Sequence, residues 1–247
     1  MPETLTGAVS EGRAALPART AVLGCGRMGS ALVHAARSRG LDVVAGVRTP
    51  RLRRPGLPGD VAQLWPPEAV AAADLVVLAT PPGIPLQHLA LHLAPVLAGK
   101  VVLDVSNPLF RRPAMPAPRG PYETGGEAGG ETGESSETER LASWLPAARV
   151  AKAFNTVSAK ALRLHAAAGA GDPYGLEHLS VPVVADDPGA RETVCAWVRA
   201  LGFDPVPAGG LAHARELEHL ARLLHHIDTA SGRSGLVGCR IVRPEPL

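Results

Sequence analysis

The 247-residue sequence predicts an α/β fold, a Rossmann-like, doubly wound and mostly parallel sheet with helices on both faces, and three observations carry that prediction. Short apolar runs are continuous rather than alternating, as strands covered on both faces require. Stretches of helical periodicity separate them. Aromatic residues make up only 3% of a chain that is 46% hydrophobic, so Ala, Val and Leu fill the core, which suits closely spaced layers better than an aromatic-rich barrel. With typical domains near about 150 residues, the length fits one large domain, or one domain with a small appendage, and not a second full catalytic domain.

Taken in order, residues 1–17 read as a flexible polar tail and residues 18–227 as the domain. Thr20 to Leu23 is the first strand, Met28 to Arg39 a helix closed by Gly40, and Leu41 to Gly46 the second strand, which completes a right-handed βαβ unit. Further strands of the parallel sheet are expected over Leu75 to Ala79, Val101 to Val105, Val150 to Phe154 and Val181 to Ala185. Helices are expected over Pro85 to Leu97, Glu137 to Leu145, Ser158 to Ala167 and Pro188 to Leu201. The last has the clearest ends, with Asp187 as cap, Pro188 at the first helical position and Gly202 beyond it.

Two regions interrupt the rhythm. Pro50 to Pro58 holds several prolines where a helical crossover would stand, so an irregular crossover is expected. Arg111 to Glu137 is rich in Pro, Gly, Glu, Ser and Thr and reads as a long, flexible, solvated loop. Leu211, Ala214, Leu217, Leu220, Leu224 and Ile227 recur at helical spacing and are expected to pack on the core or a partner helix. Residues 228–247 show no regular pattern and read as an irregular tail.

Lys plus Arg is 25 against 23 for Asp plus Glu, a net charge of +2, which is not the footprint of a dedicated nucleic-acid binder. Cys25, Cys195 and Cys239 are too widely spaced for a disulfide framework or a zinc cluster, which favours a reducing compartment. No apolar leader opens the chain and no stretch reaches about 18 uninterrupted apolar residues, so a cytoplasmic location is expected.

Gly24-Cys25-Gly26-Arg27-Met28-Gly29 stands between the first strand and the first helix, the context in which a G-x-G-x-x-G string holds a dinucleotide. Gly24 allows the tight turn, Gly26 lets a pyrophosphate approach the backbone, and Gly29 lets helix and strand pack closely. The second strand ends in Ala45-Gly46-Val47-Arg48-Thr49, with no carboxylate to accept from a ribose 2′-hydroxyl. Arg48 can instead pair with a 2′-phosphate and Thr49 can donate to it, so NADPH is the expected cofactor. Arg51, Arg53 and Arg54 add positive potential nearby. Asn107 and Asn155 end two other strands, where an amide matches the nicotinamide carboxamide or a ribose hydroxyl, and Thr80 ends a third. No side chain is identified as a general acid or base. His88 and His92, and separately His213, Glu216 and His219, lack the further ligands a metal needs, so no metal site is expected.

Gly24-Cys-Gly-Arg-Met-Gly29, Gly46-Val-Arg-Thr-Pro50, Asp104-Val-Ser-Asn-Pro108, Leu141-Ala-Ser-Trp-Leu-Pro146, Lys152-Ala-Phe-Asn-Thr-Val-Ser-Ala159 and Leu201-Gly-Phe-Asp-Pro-Val206 together resemble the cytosolic oxidoreductase domain of the STEAP metalloreductases, over roughly residues 18 to 224. That domain is similar in turn to the F420H2:NADP oxidoreductases. The resemblance implies NADPH donating hydride to a flavin, FAD or FMN, with electrons passing through a membrane haem to ferric or cupric ions. It implies that Gly24, Gly26, Arg27 and Met28 hold the pyrophosphate, Arg48 and Thr49 the 2′-phosphate, and Asn107 and Asn155 the nicotinamide end. The six membrane helices of those relatives have no counterpart here, so haem ligands are not carried over. A homo-oligomer, or association with full-length relatives at endosomal or plasma membranes, is the partner expectation. A soluble F420-dependent NADP reductase and a non-catalytic NADP-binding regulatory or truncated isoform stay open as alternatives.

Overall fold

The computed structural model describes residues 16–108, 135–168, 173, 175–232 and 235–242. The chain runs β1 (Thr20–Leu23), α1 (Arg27–Ser38), β2 (Val43–Gly46), β3 (Gln63–Leu64), α2 (Pro66–Ala71), β4 (Leu75–Leu78), α3 (Ile84–Leu97) and β5 (Val101–Asp104). It continues through α4 (Glu137–Trp144), β6 (Arg149–Lys152), α5 (Ala159–Ala168), β7 (Ser180–Ala185), α6 (Pro188–Ala200), β8 (Asp204–Pro207) and α7 (Ala214–Ser231). One eight-stranded sheet results, in the order β3-β2-β1-β4-β5-β6-β7-β8.

The strands carry continuous apolar runs because both of their faces are covered. On β1, Val22 faces the cluster that includes Leu32, Leu162 and Trp197, while Ala21 and Leu23 face the one that includes Val70, Leu93 and Leu141. Helices α1, α5 and α6 therefore cover one face, and α2, α3, α4 and α7 the other. Helix α6 has the expected start, with the Asp187 carboxylate accepting from the Ala190 N–H at 2.6 Å and Pro188 in the first turn.

Four features differ from the sequence reading. β7 is antiparallel to β6, with Lys152 opposite Val184, whereas its continuous apolar run predicts a parallel strand. Burial on both faces produces a continuous apolar run whichever way a strand points, so the pattern carries no direction. β3, α2 and β8 were not foreseen: two are very short, and β8 carries Pro205 and Pro207, which an edge strand tolerates because one side needs no N–H. The solvated loop expected to end at Glu137 gives way earlier, since Ser136 and Glu137 are buried; residues 109–134 lie outside the described residues. Finally, α7 continues to Ser231 rather than stopping at Asp228, whose carboxylate accepts from the N–H groups of Gly235 and Leu236 at 2.6 and 3.2 Å. Residues 235–242 carry no regular element and dock on β7 through the Ser180 N–H, which donates to the Cys239 carbonyl. Along α7, Leu217 and Leu224 are buried, while Ile227 is exposed and extends no core contact.

Removal of the α6 cap by Asp187→Ala should lower stability by about 1 kcal/mol, equivalent to roughly 2–4 °C in a chain of this size. Thermal denaturation followed by circular dichroism checks this, and an unchanged midpoint would show the cap to be energetically idle.

Candidate functional site

The strand order reverses between β1 and β4: the chain leaves β1 toward β2 and β3, then returns to β4 on the other side. Ligands of open parallel sheets sit outside the carboxyl ends of the strands at such a reversal. Here a groove of about 1710 Å³ opens there, along the ends of β1, β2, β4, β5 and β6.

The glycine turn forms one wall. Gly24 has φ of +91°, and a Cβ on it would meet the Ala79 carbonyl at 2.8 Å, so the turn between β1 and α1 requires glycine on two counts. A Cβ on Gly29 would collide with the Gly24 carbonyl oxygen, which makes Gly29 the residue that lets α1 start this close to the strand. Gly26 differs: a Cβ there would meet nothing within 4 Å, and the residue lines the open groove. Gly26 is also the N-cap of α1, no side chain caps that helix, and its first turn holds no acid. The N–H groups of α1 are thus left to an anion. Ser30 braces the turn by donating to the Gly26 carbonyl at 2.6 Å while accepting from Arg163 at 2.7 Å.

Of the residues singled out from sequence, Gly24, Cys25, Gly26, Arg27, Met28, Arg48, Thr80, Asn107 and Asn155 all line this groove. Gly29 stands behind the turn, and Thr49 is exposed and lies off the lining. Of the basic loop only Arg54 reaches the groove; Arg53 instead donates to the Gly59 carbonyl. His88, His92 and Trp65, the last just after β3, are part of the wall. Among the described residues, Arg27, Arg48, Arg54, Lys160 and Arg163 line the groove against a single carboxylate, Asp228, a balance suited to an anionic ligand. Burial pushes the Cys25 thiol up to about 11, with Arg54 opposing, and the thiol points at the Val22 carbonyl at 3.8 Å.

At the far end, the turns after β5 and β6 meet. The Asn107 amide nitrogen donates to the Asn155 carbonyl at 3.3 Å, and the Asn155 amide nitrogen donates to the Leu217 carbonyl on α7 at 2.8 Å. The side-chain oxygens of Ser106, Asn107, Asn155 and Thr156 are buried without a protein partner, and all four residues line the groove. Buried polar atoms are nearly always paired, so a cluster of four marks a place built for a polar ligand. Phe154, just before Asn155, has φ of +62°, a strained conformation for an aromatic residue, which costs about 1–3 kcal/mol. Its fully buried ring offsets that cost by edge-on packing against Trp197 and Phe203, with centroids 5.6 and 5.9 Å away.

Sequence reasoning passed over the group beneath these turns. Lys152 has no exposure, and its ammonium donates to the Asp104 carboxylate and the Ser106 carbonyl, both at 3.0 Å, and to the Thr138 hydroxyl at 2.9 Å. Glu218 of α7 stands 3.4 Å away and accepts from the Glu137 N–H at 3.0 Å. The available signal was two opposite charges, Asp104 and Lys152, each inside an otherwise apolar run on neighbouring strands, where neither could stay buried unpaired.

A doubly wound sheet with a glycine turn facing a groove at the reversal of strand order defines a Rossmann-like dinucleotide-binding domain. Residues 19–108, which hold β1 through β5, match the family described as NADP oxidoreductase, coenzyme F420-dependent. Over 203 residues, 81% of this chain, the sequence is 33% identical to the Metalloreductase STEAP3 of Rattus norvegicus and covers 36% of it. It is 28% identical to the Metalloreductase STEAP2 of Homo sapiens over 201 residues, 81% of this chain and 35% of that protein. The chain therefore spans about a third of the length of the curated relatives it matches. Among solved structures it is similar to one described as an F420-dependent NADP-reductase from Arthrobacter sp. FB24, with a TM-score of 0.71 and 28% identity, over 91% of this chain and 99% of that one. The resemblance to the STEAP oxidoreductase domain read from the motifs thus stands, on an NADP-oxidoreductase type of fold. Among the described residues, no helix is long and apolar enough to cross a membrane.

Two outcomes are expected. Gly26→Val should abolish NADPH binding, measured by calorimetry, with the far-UV circular dichroism unchanged; a folded variant that still binds would refute the phosphate-turn assignment. Burial pushes the Glu218 carboxyl up from its ordinary value of 4.5, with Lys152 opposing and Asp104 reinforcing. The stability such a group contributes is complete below its unfolded value and is lost as pH rises through the higher folded value. Relative to Glu218→Gln, the wild type should therefore lose stability as pH climbs above 4.5, read from urea midpoints. A difference that stays constant across that range would contradict the assignment.

Proposed function

We propose that this chain binds NADPH along the groove and delivers its hydride to a flavin, FAD or FMN, at the end built by Asn107 and Asn155. The observation that carries the reading is the groove's lining: five cations along it, bare helix N–H groups at the start of α1, and four buried oxygens without a protein partner where the turns after β5 and β6 meet. NADPH, when bound, supplies the hydride. The chain's part is to hold and orient. Gly26 and the start of α1 receive the pyrophosphate, Arg27 and Met28 flank it, Thr80 lines the adenosine side, and Arg48 takes the 2′-phosphate, with Thr49 next to it outside the lining. Asn107 and Asn155 accept from the carboxamide or ribose through their side-chain oxygens. Hydride transfer to a flavin depends on positioning more than on a protein acid or base, which suits a groove without a nucleophile–base pair.

In this reading, ferric or cupric ions are reduced downstream of the flavin, and the chain works in the cytoplasm, alone, as a homo-oligomer, or beside full-length membrane relatives. A second reading, F420 as the hydride partner, is favoured by the Arthrobacter structure, of which this chain covers 99%.

One charge-assisted bidentate contact is worth about 1.5–3 kcal/mol, roughly one to two decades of affinity. NADPH should accordingly bind at least about tenfold more tightly than NADH, and Arg48→Ala should erase most of that preference. Calorimetry with both cofactors checks it; equal affinities in the wild type would overturn the assignment. Turnover with NADPH against FMN, FAD and F420 then separates the two enzymatic readings, and tight binding without turnover of any of them would mean a non-catalytic NADP-binding protein.

A further inference from the structure

We propose that Lys152 is a positioning residue for the nicotinamide end: a single buried ammonium aligns the two asparagine-bearing turns and docks α7 beside them. The inference rests on the NADPH reading above and extends it to a residue that does not line the groove.

On the β5 side, Lys152 holds the carbonyl of Ser106, while the carboxylate it neutralises, Asp104, accepts from the N–H of that same Ser106 at 2.8 Å. Both backbone groups of the residue before Asn107 are thereby fixed by one ion pair. On the β6 side, Lys152 lies three positions before Asn155, with the strained Phe154 between them. On the α7 side, it pairs with Glu218, whose neighbour Leu217 accepts the Asn155 amide. The Asn107 amide then closes the circuit by donating to the Asn155 carbonyl. Each asparagine spends its amide nitrogen on this scaffold and leaves its buried side-chain oxygen without a partner among the described residues, and both residues line the groove. An arrangement that fixes both nitrogens and leaves both oxygens unpaired suits recognition of a donor such as a carboxamide NH2 or a ribose hydroxyl.

Asn107 and Asn155 are the only asparagines in the chain, so protein labelled with 15N-asparagine displays two side-chain NH2 pairs and nothing else in that class. Lys152→Met is the direct variant. Because it leaves Asp104 and Glu218 buried without a counter-charge and is liable to unfold, a neutral triple variant that adds no asparagine, Asp104→Leu with Lys152→Met and Glu218→Gln, accompanies it. In whichever variant retains wild-type near-UV circular dichroism, both NH2 pairs should move from their wild-type positions, and NADP+ should no longer shift them as it does in the wild type. Affinity for adenosine 2′,5′-bisphosphate, which lacks the nicotinamide half, should stay within about twofold, while NADP+ affinity falls about tenfold. Lys152→Arg, which keeps the charge, should restore part of that loss.

Unmoved NH2 pairs, or equal losses for NADP+ and the bisphosphate, would overturn the inference and leave Lys152 a purely structural ion. Wild-type protein that binds neither ligand would overturn the NADPH reading itself, and the inference with it.

Discussion

An ammonium shut off from water has to be neutralised where it stands, and that requirement organises the half of the molecule built on β5, β6, α4 and α7. Lys152, at the end of β6, has no exposure, and its partners come from the other three elements: Asp104 of β5, Thr138 of α4 and Glu218 of α7. Leaving such a charge uncompensated in a low-dielectric interior costs far more than a lost surface pair, so none of these elements can shift without the others. The circuit continues outward through the Glu137 carboxylate, which accepts from the Gly83 N–H ahead of α3 and is paired with Arg140. Buried ion pairs of this kind are weak sources of net stability. Their effect is to select one arrangement of packed elements over neighbouring ones of similar apolar burial.

The reversal of β7 has its own bearing on the groove. The carboxyl ends of β1, β2, β4, β5 and β6 point to one rim, while β7, and β8 parallel to it, end at the other. The chain therefore leaves β8 on the side away from the groove. An 18-residue helix, about 27 Å long, is enough to cross the height of the sheet, and α7 makes that crossing to deliver Ala221, Leu224 and Asp228 to the groove wall. Had β7 and β8 kept the direction of the others, α7 would start at the groove and run away from it.

How much of this was legible in the sequence follows from which interactions are local. The glycine turn is local: three glycines at fixed spacing between a strand and a helix have their separate duties written into a six-residue string; Gly24 makes the turn and Gly29 the close packing read from it, while Gly26 faces open space. Arg48 and the asparagines were found because strand ends are visible as the ends of apolar runs, and position at a strand end is most of what a ligand-facing residue needs. Strand direction was not legible, since burial patterns are symmetric along the chain. β3 and β8 escaped because two residues, or a Pro-Val-Pro run, are too little pattern to distinguish from a loop. The Asp104–Lys152–Glu218 group depends on contacts across 48 and 66 positions, and only its first two members left a local trace, as charges within apolar strands. Ser106 and Thr156 were passed over because a hydroxyl's lack of a partner is a property of the folded surroundings alone.

The thiol inside the glycine turn adds a chemical consequence. Nucleophilic sulfur is thiolate, and a group whose proton is held up to about 11 is ionised in roughly one molecule in ten thousand at neutral pH. Peroxide, electrophilic metabolites and alkylating reagents should all find Cys25 inert, although it sits in the most sensitive stretch of the groove. The turn is consequently insulated from the oxidative chemistry that low-pKa cysteines report.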